Sequence, residues 1–529
     1  MVNNNKATIF LIVVFTLSTI IHVIPAYISN NLFSTDVWPL YRDAKILLGK
    51  PDAKIWDDKF FDGYNNHWPG IILSTTIYTW VTGISLRIVY MYIYTIILSL
   101  GLLLLFYTVI RRFYSISACA LAILILGYTP SYLVFTSSPL KETYAYPLFF
   151  AITIFALRTL INGVLMGRDL VALSVLSMGL VLSHHLATFM LAGFLLGFVF
   201  VSIAYHLWGK NLVSPLHMLK ASLIIVVIVG VFLSYYFTYG SASLKISASP
   251  GNILTYILYG LVLYGGYLVF AEKRSNQLLV PIIISIFTIL FLMFSPDLAR
   301  VLPGVSILGS RLFWYVLPMA LSIPFIVVVG DEMVNLLVDG MGLFILYNII
   351  YVLFGAPFFS SIIHRFINYI VFIMAIIVAY MWQKRSSLKK SLAVFMVLAT
   401  LLPGSIVIVN IVSYRDGVSY TWYYPIGETR GFDTVFTYAG DDLKISGDTK
   451  IVFYGIMVKN IDSSLLLKTL YYNKSPDNNQ LFIIYYENYF AGCMVYLNYY
   501  SIDSIFNRGA YNRLYDNHYV QAYLYGGKY

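Results

Sequence analysis

The chain has 529 residues, of which 59% are hydrophobic and only 11% charged, a balance that excludes a soluble globule, in which about a quarter of the residues are charged. Its formal charge of +10 is scattered as single and paired cations between apolar runs, which excludes a nucleic-acid surface and fits the flanks of membrane segments. Cys119 lies in an apolar run and Cys493 in a polar tail, so no zinc-ligand spacing exists and a disulfide between them is not expected.

Apolar runs long enough to cross about 30 Å of hydrocarbon recur from the N-terminus to about residue 413 and then stop. In chain order they fall at 7–29, 88–110, 114–135, 144–161, 169–183, 185–207, 217–239, 252–270, 276–294, 311–329, 341–357, 362–382 and 391–412, about thirteen crossings. The first run follows only Lys6 and precedes no small-residue cleavage pattern, so it reads as a retained signal-anchor with a cytoplasmic N-terminus. The stretch 68–85, WPGIILSTTIYTWVTGIS, is short and broken by Thr, Ser and Gly, and is assigned to the interface; a full crossing there would invert everything downstream.

Short cytoplasmic loops gather Lys and Arg. With Lys6 inside, alternate connections on that side carry Arg111 with Arg112, Arg158 with Arg168, Lys210 with Lys220, Lys273 with Arg274, and Lys384, Arg385, Lys389 and Lys390. Asp331 and Glu332 are the exception. An odd number of crossings places the tail from Tyr414 outside, together with the loop 30–87, the segment TSSPLKETY, the His184-His185 junction and the stretches around Arg300, Arg311 and Arg365. The organisation expected is therefore a membrane domain over 1–413 and an extracytoplasmic domain over 414–529. Alternating runs such as TKIVFYGI and QLFIIYYENYF, with a helical run IDSSLLLKTLYYN between them, make the tail a small α/β domain. It shows no nucleophile–base constellation and no glycine-rich phosphate loop. Asn473-Lys474-Ser475 is a glycosylation acceptor pattern weakened by Pro476.

At DVWPLYRDAKILLGKP and at NNHWPGIILSTTIYTWVTGISLRIVYMYIYTIILSLGLLLLFYTVIRRFY the chain resembles the polytopic glycosyltransferases of the GT-C class, especially their archaeal branch. The likeness continues in order through TSSPLKETYAYPLFF, GLVLSHHLATF and the tail segments GETRGFDTVFTYAGDDLKISGDTKIVFYG and YNRLYDNHYVQAYLY. It implies a GT-C-like helical fold and a sugar transferase of the cell membrane. The donor would be a polyprenyl-phosphate-linked sugar drawn from among the membrane lipids, and the acceptor a lipid-linked glycan or a surface protein. The class's Asp-x-Asp form is absent, since Asp36 is followed by Val37 and Trp38, which leaves a metal-dependent mechanism of the oligosaccharyltransferase type without its usual pair.

Such transfer needs a base at the acceptor and cationic groups at the phosphate. Asp36, at the membrane boundary beside Trp38, is placed to be the base; the competing structural reading is a helix cap. Arg42, Asp43 and Lys45 read as the solvated face of the helix that follows, and Asp57, Asp58 and Asp62 as a solvated loop. Glu142 is the acidic residue of a very short external loop, and either orients the acceptor or completes a divalent-metal site with Asp36; alternatively it only complements a helix N-terminus. His184 and His185 interrupt an apolar hairpin, where an imidazole marks a site by default, and adjacency would send the two rings to different sides of a helix. Arg300, Arg311 and Arg365 suit the donor phosphate, because guanidinium forks match phosphate oxygens and stay charged; snorkelling anchors are the alternative. His67, Trp68 and Lys141 are assigned to the acceptor side. A transporter or lipid-linked-glycan flippase would show repeats and midplane polar residues, whereas here the ionisable groups collect at one boundary; a non-catalytic GT-C relative is the other alternative.

Overall fold

The structure, a computed structural model, describes residues 2–244, 250–270, 278, 280–286, 313–329, 331–354, 363–413, 422–440, 442–455, 458, 461–470, 479–491, 493–495, 498–500, 502 and 511–525. Contacts divide the chain into two compact units. The first comprises Met1–His22, Ile96–Thr136 and Lys141–Val407, and the second Val23–Thr95, Ser137–Leu140 and Ile408–Tyr529.

The helices in chain order are α1 (Val2–Ser29), α2 (Val37–Gly49), α3 (Gly70–Thr82), α4 (Leu86–Ile110), α5 (Ile116–Tyr128), α6 (Pro130–Thr136), α7 (Lys141–Asn162), α8 (Gly167–Ser183), α9 (His185–Leu207), α10 (Pro215–Thr238), α11 (Pro250–Phe270), α12 (Phe313–Ser322), α13 (Glu332–Phe354), α14 (Ile363–Gln383) and α15 (Ser387–Val412). Among the described residues eight are long and apolar enough to cross a membrane, or nine if α5 and α6 count as one. These helices make the chain a multi-pass α-helical membrane protein.

Thirteen crossings are thus not reached among the described residues, and the reasons are local. The run 114–135 is two helices bent by 70°, because Pro130 lacks the N–H that would continue α5. The run 169–183 becomes α8, whose 17 residues reach only about 25 Å at 1.5 Å per residue. The run 311–329 is the ten-residue α12 followed by a 3-10 turn at Ile323–Val328, which opens with Pro324. Most of 276–294 lies outside the described residues. The stretch 68–85 yields α3, whose 13 residues span about 20 Å and cannot cross the hydrocarbon; it ends where Gly83 takes a left-handed φ of 70°.

In the first unit α9 packs on α13, α14 on α5, and α7, α8 and α10 on one another. Gly197 and Gly340 let α9 and α13 approach closely, for a Cβ at Gly197 would stand 2.2 Å from the Gly340 carbonyl oxygen. Phe106, Phe149, Phe150, Phe194, Tyr369 and Phe372 interlock at the centre, mostly edge to face. Solvation by lipid explains the outward apolar faces, most extensive on α11, of whose span only 6% is buried.

In the second unit the tail forms a four-stranded sheet in the order β1-β2-β6-β5, from Lys444–Ser446, Gln480–Tyr485, Val520–Tyr525 and Tyr511–Asp516, with β3 (Cys493–Val495) and β4 (Asn498–Tyr500) paired separately. β1 and β2 are parallel, the other pairs antiparallel. Helices α16 (Ile426–Tyr438), α17 (Thr449–Gly455), α18 (Ser463–Leu470) and α19 (Asn488–Ala491) accompany them. TKIVFYGI, expected as a strand, is α17: Asp448 precedes it and accepts the Ile451 N–H at 3.3 Å, an N-cap that redirects an otherwise strand-like run. Asn473, with its glycosylation pattern, lies outside the described residues. The loop after the first span groups by contact with the tail, although the sequence separates them by the whole membrane part.

Candidate functional site

In the second unit Asp36 occupies the N-cap position of α2, with φ −68° and ψ −13°, yet its side chain makes no capping hydrogen bond. The helix start is anchored elsewhere, by the Ser34 N–H donating to the Trp422 carbonyl at 2.7 Å and by Asn31 Nδ2 donating to Thr429 Oγ1 at 2.9 Å. The carboxylate is half-buried and within electrostatic reach of the buried Tyr424.

The helix that carries Asp36 is held by tail aromatics. Trp38 meets Tyr424 at 5.4 Å and Tyr454 at 4.5 Å between ring centroids. Arg42, expected on a solvated face, is half-buried instead: its Nε donates to the Tyr454 carbonyl at 3.0 Å, and its guanidinium lies 5.3 Å from that ring's centroid. Asp43 is likewise no surface residue. It is fully buried, because α2 packs on α3 and α17, leaving Lys45 exposed among the three charged residues, and it sits within electrostatic reach of Tyr90. The Tyr90 hydroxyl donates to the Leu40 carbonyl at 3.1 Å.

The loop charges are structured rather than merely solvated. Asp58 Oδ1 accepts from Asn66 Nδ2 and from His67 Nε2, each at 2.8 Å. These bonds, that from Asn66 first, hold the Asp58 carboxyl below its ordinary range. Asp62 accepts the N–H groups of Tyr64 and Asn65 at 2.9 and 2.6 Å, capping the 3-10 turn at Asn65–His67. Trp68 is fully buried, so it acts as core rather than as an acceptor contact. Asp57 accepts from the Lys59 N–H.

In the first unit the beginnings of three helices meet. Lys141 and Glu142 open α7, His184 stands between α8 and α9, and Arg365 lies in the first turn of α14. Arg365 Nη1 is 3.2 Å from His184 Nε2 and 3.9 Å from Glu142 Oε2. The Tyr146 hydroxyl donates to Glu142 Oε1 at 3.1 Å, while Lys141 lies within electrostatic reach of both histidines. His184 has an extended backbone, with φ −161° and ψ 117°, so the two imidazoles do not point to opposite sides of one helix. Their rings lie 5.1 Å apart. The Ala187 N–H donates to His184 Nδ1 at 3.3 Å. A neutral imidazole accepts at one nitrogen only, so His184 either caps α9 or accepts from Arg365, and not both at once.

Glu142 does open a helix, as its structural reading held, but it also faces Arg365. Helix N-termini carry partial positive charge, which here adds to that of Arg365 and Lys141, and Glu142 Oε2 lies 3.9 Å from the Arg365 guanidinium. Arg300 and Arg311 lie outside the described residues. Among the described residues no three His, Cys, Asp or Glu side chains cluster as a metal site would require.

Two groups escaped the sequence reading. His22, buried in α1, has Nε2 2.9 Å from Thr136 Oγ1, and a lone His in a leading apolar run gave no signal. In the tail, Lys450 Nζ stands 2.6 Å from Glu428 Oε2, both fully buried, with Tyr485 and Tyr424 rings 4.3 and 5.0 Å from the ammonium. Buried Asp448 accepts from the Tyr485 hydroxyl at 2.6 Å and from Asn488 Nδ2 at 3.2 Å. Burial pushes the carboxyls of Glu428 and Asp448 above their ordinary range. Lys450, Glu428 and Asp448 are all buried within the tail.

No family model matches the chain, and no curated protein does. Among solved structures it is similar to ArnT from Cupriavidus metallidurans bound to undecaprenyl phosphate, at 12% identity over 98% of each chain with a TM-score of 0.41. It is similar also to the same protein in the apo state, at 12% identity over 99% of this chain and 100% of that one, with a TM-score of 0.43. Likeness at this level carries no argument about chemistry, which rests on the residues themselves.

Proposed function

We propose that the chain is a GT-C-type glycosyltransferase that takes a sugar from a polyprenyl-phosphate donor and passes it, with inversion, to a lipid-linked glycan or a surface protein on the outer face of the cell membrane. The observation that carries this reading is the cluster of Lys141, Glu142, His184 and Arg365 at the beginnings of three helices in a largely apolar unit. Ionisable groups in membrane helices are costly and mark a site, and this set, cationic in balance, suits a phosphate.

In the reaction an acceptor hydroxyl oxygen attacks the anomeric carbon, the bond from that carbon to the phosphate oxygen breaks, and the hydroxyl proton passes to a carboxylate, for which Asp36 is the candidate that the second unit carries. The lipid phosphate leaves as an anion held by Arg365 and Lys141, with His184 and His185 beside it. Glu142 fixes the direction of the Arg365 fork. Arg300 and Arg311 are further candidates for the same phosphate, and His67 for the acceptor side.

Asp36→Asn tests the reading. It is expected to abolish transfer from a radiolabelled polyprenyl-phosphate sugar while the purified variant keeps its thermal unfolding profile and its donor binding. Full activity in that variant would reject Asp36 as the base. Movement of labelled lipid across proteoliposomes without any transfer would favour a flippase.

A further inference from the structure

The tail carries a surface that the transfer chemistry does not use. Along β6 the residues Val520 and Ala522 are buried, and the alternating Gln521 and Tyr523 are half-buried on the other face, where Tyr523 packs against the cluster that holds Phe482 and Ile484 of β2. The neighbouring β5 places Asp516 opposite Gln521 and Arg513 opposite Tyr523. Gln521 Nε2 donates to Asp516 Oδ2 at 2.9 Å, and Arg513 Nη1 donates to the same oxygen at 2.9 Å. The Tyr523 hydroxyl donates to Gln521 Oε1 at 2.7 Å, and the Tyr489 hydroxyl joins it on Gln521 and lies 3.2 Å from the Tyr523 hydroxyl. Tyr486 continues the surface, for its N–H donates to the Tyr519 carbonyl at 3.0 Å. Tyr486, Tyr489 and Tyr519 remain 54%, 44% and 46% exposed.

We infer that the open β5–β6 side of this face, with Tyr486 and Tyr489 beside it, is a carbohydrate-binding platform for a neutral glycan chain. Three features of the surface lead to that ligand. Large, exposed aromatic faces offer apolar contact to the C–H side of a pyranose, and tyrosine does so with few torsions to freeze. The planar amide, carboxylate and guanidinium of Gln521, Asp516 and Arg513 can share donors and acceptors with vicinal hydroxyls. The charges of Arg513 and Asp516 cancel, so the surface has no preference for phosphate or an acidic polymer.

The platform is also preorganised, which lowers the ordering cost of binding. Asp516 Oδ1 accepts the His518 N–H at 2.8 Å, and Asn517 Oδ1 accepts those of Tyr519 and Val520 at 3.1 and 2.7 Å. Asn517 Nδ2 ties the turn to the Gly427 carbonyl at 3.0 Å. Gly427 leaves room for the Tyr519 ring, which a Cβ there would meet at 2.6 Å. The inference deepens the proposed function by giving the tail the task of holding a glycan acceptor; it rests on that reading for the word acceptor, while the binding itself stands without it.

The test uses the full chain in lipid nanodiscs, titrated calorimetrically with soluble chitotetraose, mannotetraose, maltotetraose and cellotetraose. Saturable binding of at least one is expected, weakened about tenfold or more by Tyr489→Ala and by Gln521→Ala, with unchanged thermal unfolding. Asp36→Asn protein should bind the same sugar equally well, so loss of transfer with retained binding separates the two proposals. No binding of any of the four sugars, or binding indifferent to both platform variants, overturns the inference. So does quenching of a Tyr489→Trp reporter by headgroup-labelled lipid, which would make the tyrosines a membrane anchor.

Discussion

Trp38 and Tyr454 meet edge to face, 4.5 Å between centroids with their planes at 71°, so the segment that follows the first span is fastened to the tail two residues beyond Asp36. A carboxylate proposed as base needs to be held in place, and the contacts that fasten this segment are aromatic.

Tyr454→Ala is therefore expected to remove most transfer activity and to destabilise the second unit by about 3 kcal/mol or more, as truncation of a buried aromatic does. Tyr454→Phe keeps the ring and loses the hydroxyl, which lies 2.7 Å from Asp433 Oδ1 and 3.4 Å from the Thr429 carbonyl, at a cost of about 1 kcal/mol. Thermal unfolding and transfer rates of the two variants decide the matter. Equal effects would show that the ring contact is not what holds the segment.

On the proposed function the planar fork of Arg365 holds the donor phosphate, so Arg365→Ala should raise the KM for the lipid-phosphate donor about tenfold or more. Arg365→Lys should recover only part of that loss, since an ammonium lacks the planar fork. Initial rates against donor concentration measure both. An unchanged KM in Arg365→Ala would remove it from the phosphate site.

The buried carboxyl of Glu428 makes the tail's stability depend on pH with a definite sign. Burial raises its folded pKa well above the ordinary value, Lys450 opposes the rise and Glu487 adds to it. The folded state binds this proton more tightly than the unfolded state. The resulting stability is fully present below the ordinary glutamate value of about 4.3 and is lost as pH rises through the raised one. Melting temperature should fall from mildly acidic to mildly alkaline pH, and Glu428→Gln should flatten that slope. A slope that is the same in Glu428→Gln would assign it to other groups.

Gly197→Ala places a methyl against the Gly340 carbonyl oxygen, 2.2 Å away before any shift, which no flexible side chain can relieve. The α9–α13 crossing must widen, at about 1–3 kcal/mol. The neighbouring Gly230→Ala, whose Cβ meets nothing within 4 Å, is the control and should leave the melting temperature unchanged or slightly higher.

Much of the protein is legible in order along the chain. The apolar runs announce the membrane class, and the short, polar-broken stretch 68–85 yields a helix too short to cross, as its composition indicated. His184, Glu142 and Arg365 could be nominated one by one, because a polar group in an apolar run stands out locally. That the three stand together could not be read, since residues 142, 184 and 365 share no local pattern.

The errors have the same origin. Arg42 and Asp43 read as a solvated face because period and polarity say only which residues are polar, while burial depends on what packs against the helix; here α3 and α17 do. TKIVFYGI read as a strand because its side chains favour one, and a single capping carboxylate, Asp448, turned it into a helix. The sequence by itself determined the solvent this chain inhabits, since hydrocarbon dictates run length and loop charge residue by residue. Only the tertiary structure decided which charges are buried, which aromatics clamp the Asp36 segment and which tyrosines line the tail's outer face, because long-range packing brings together residues that carry no trace of one another in sequence.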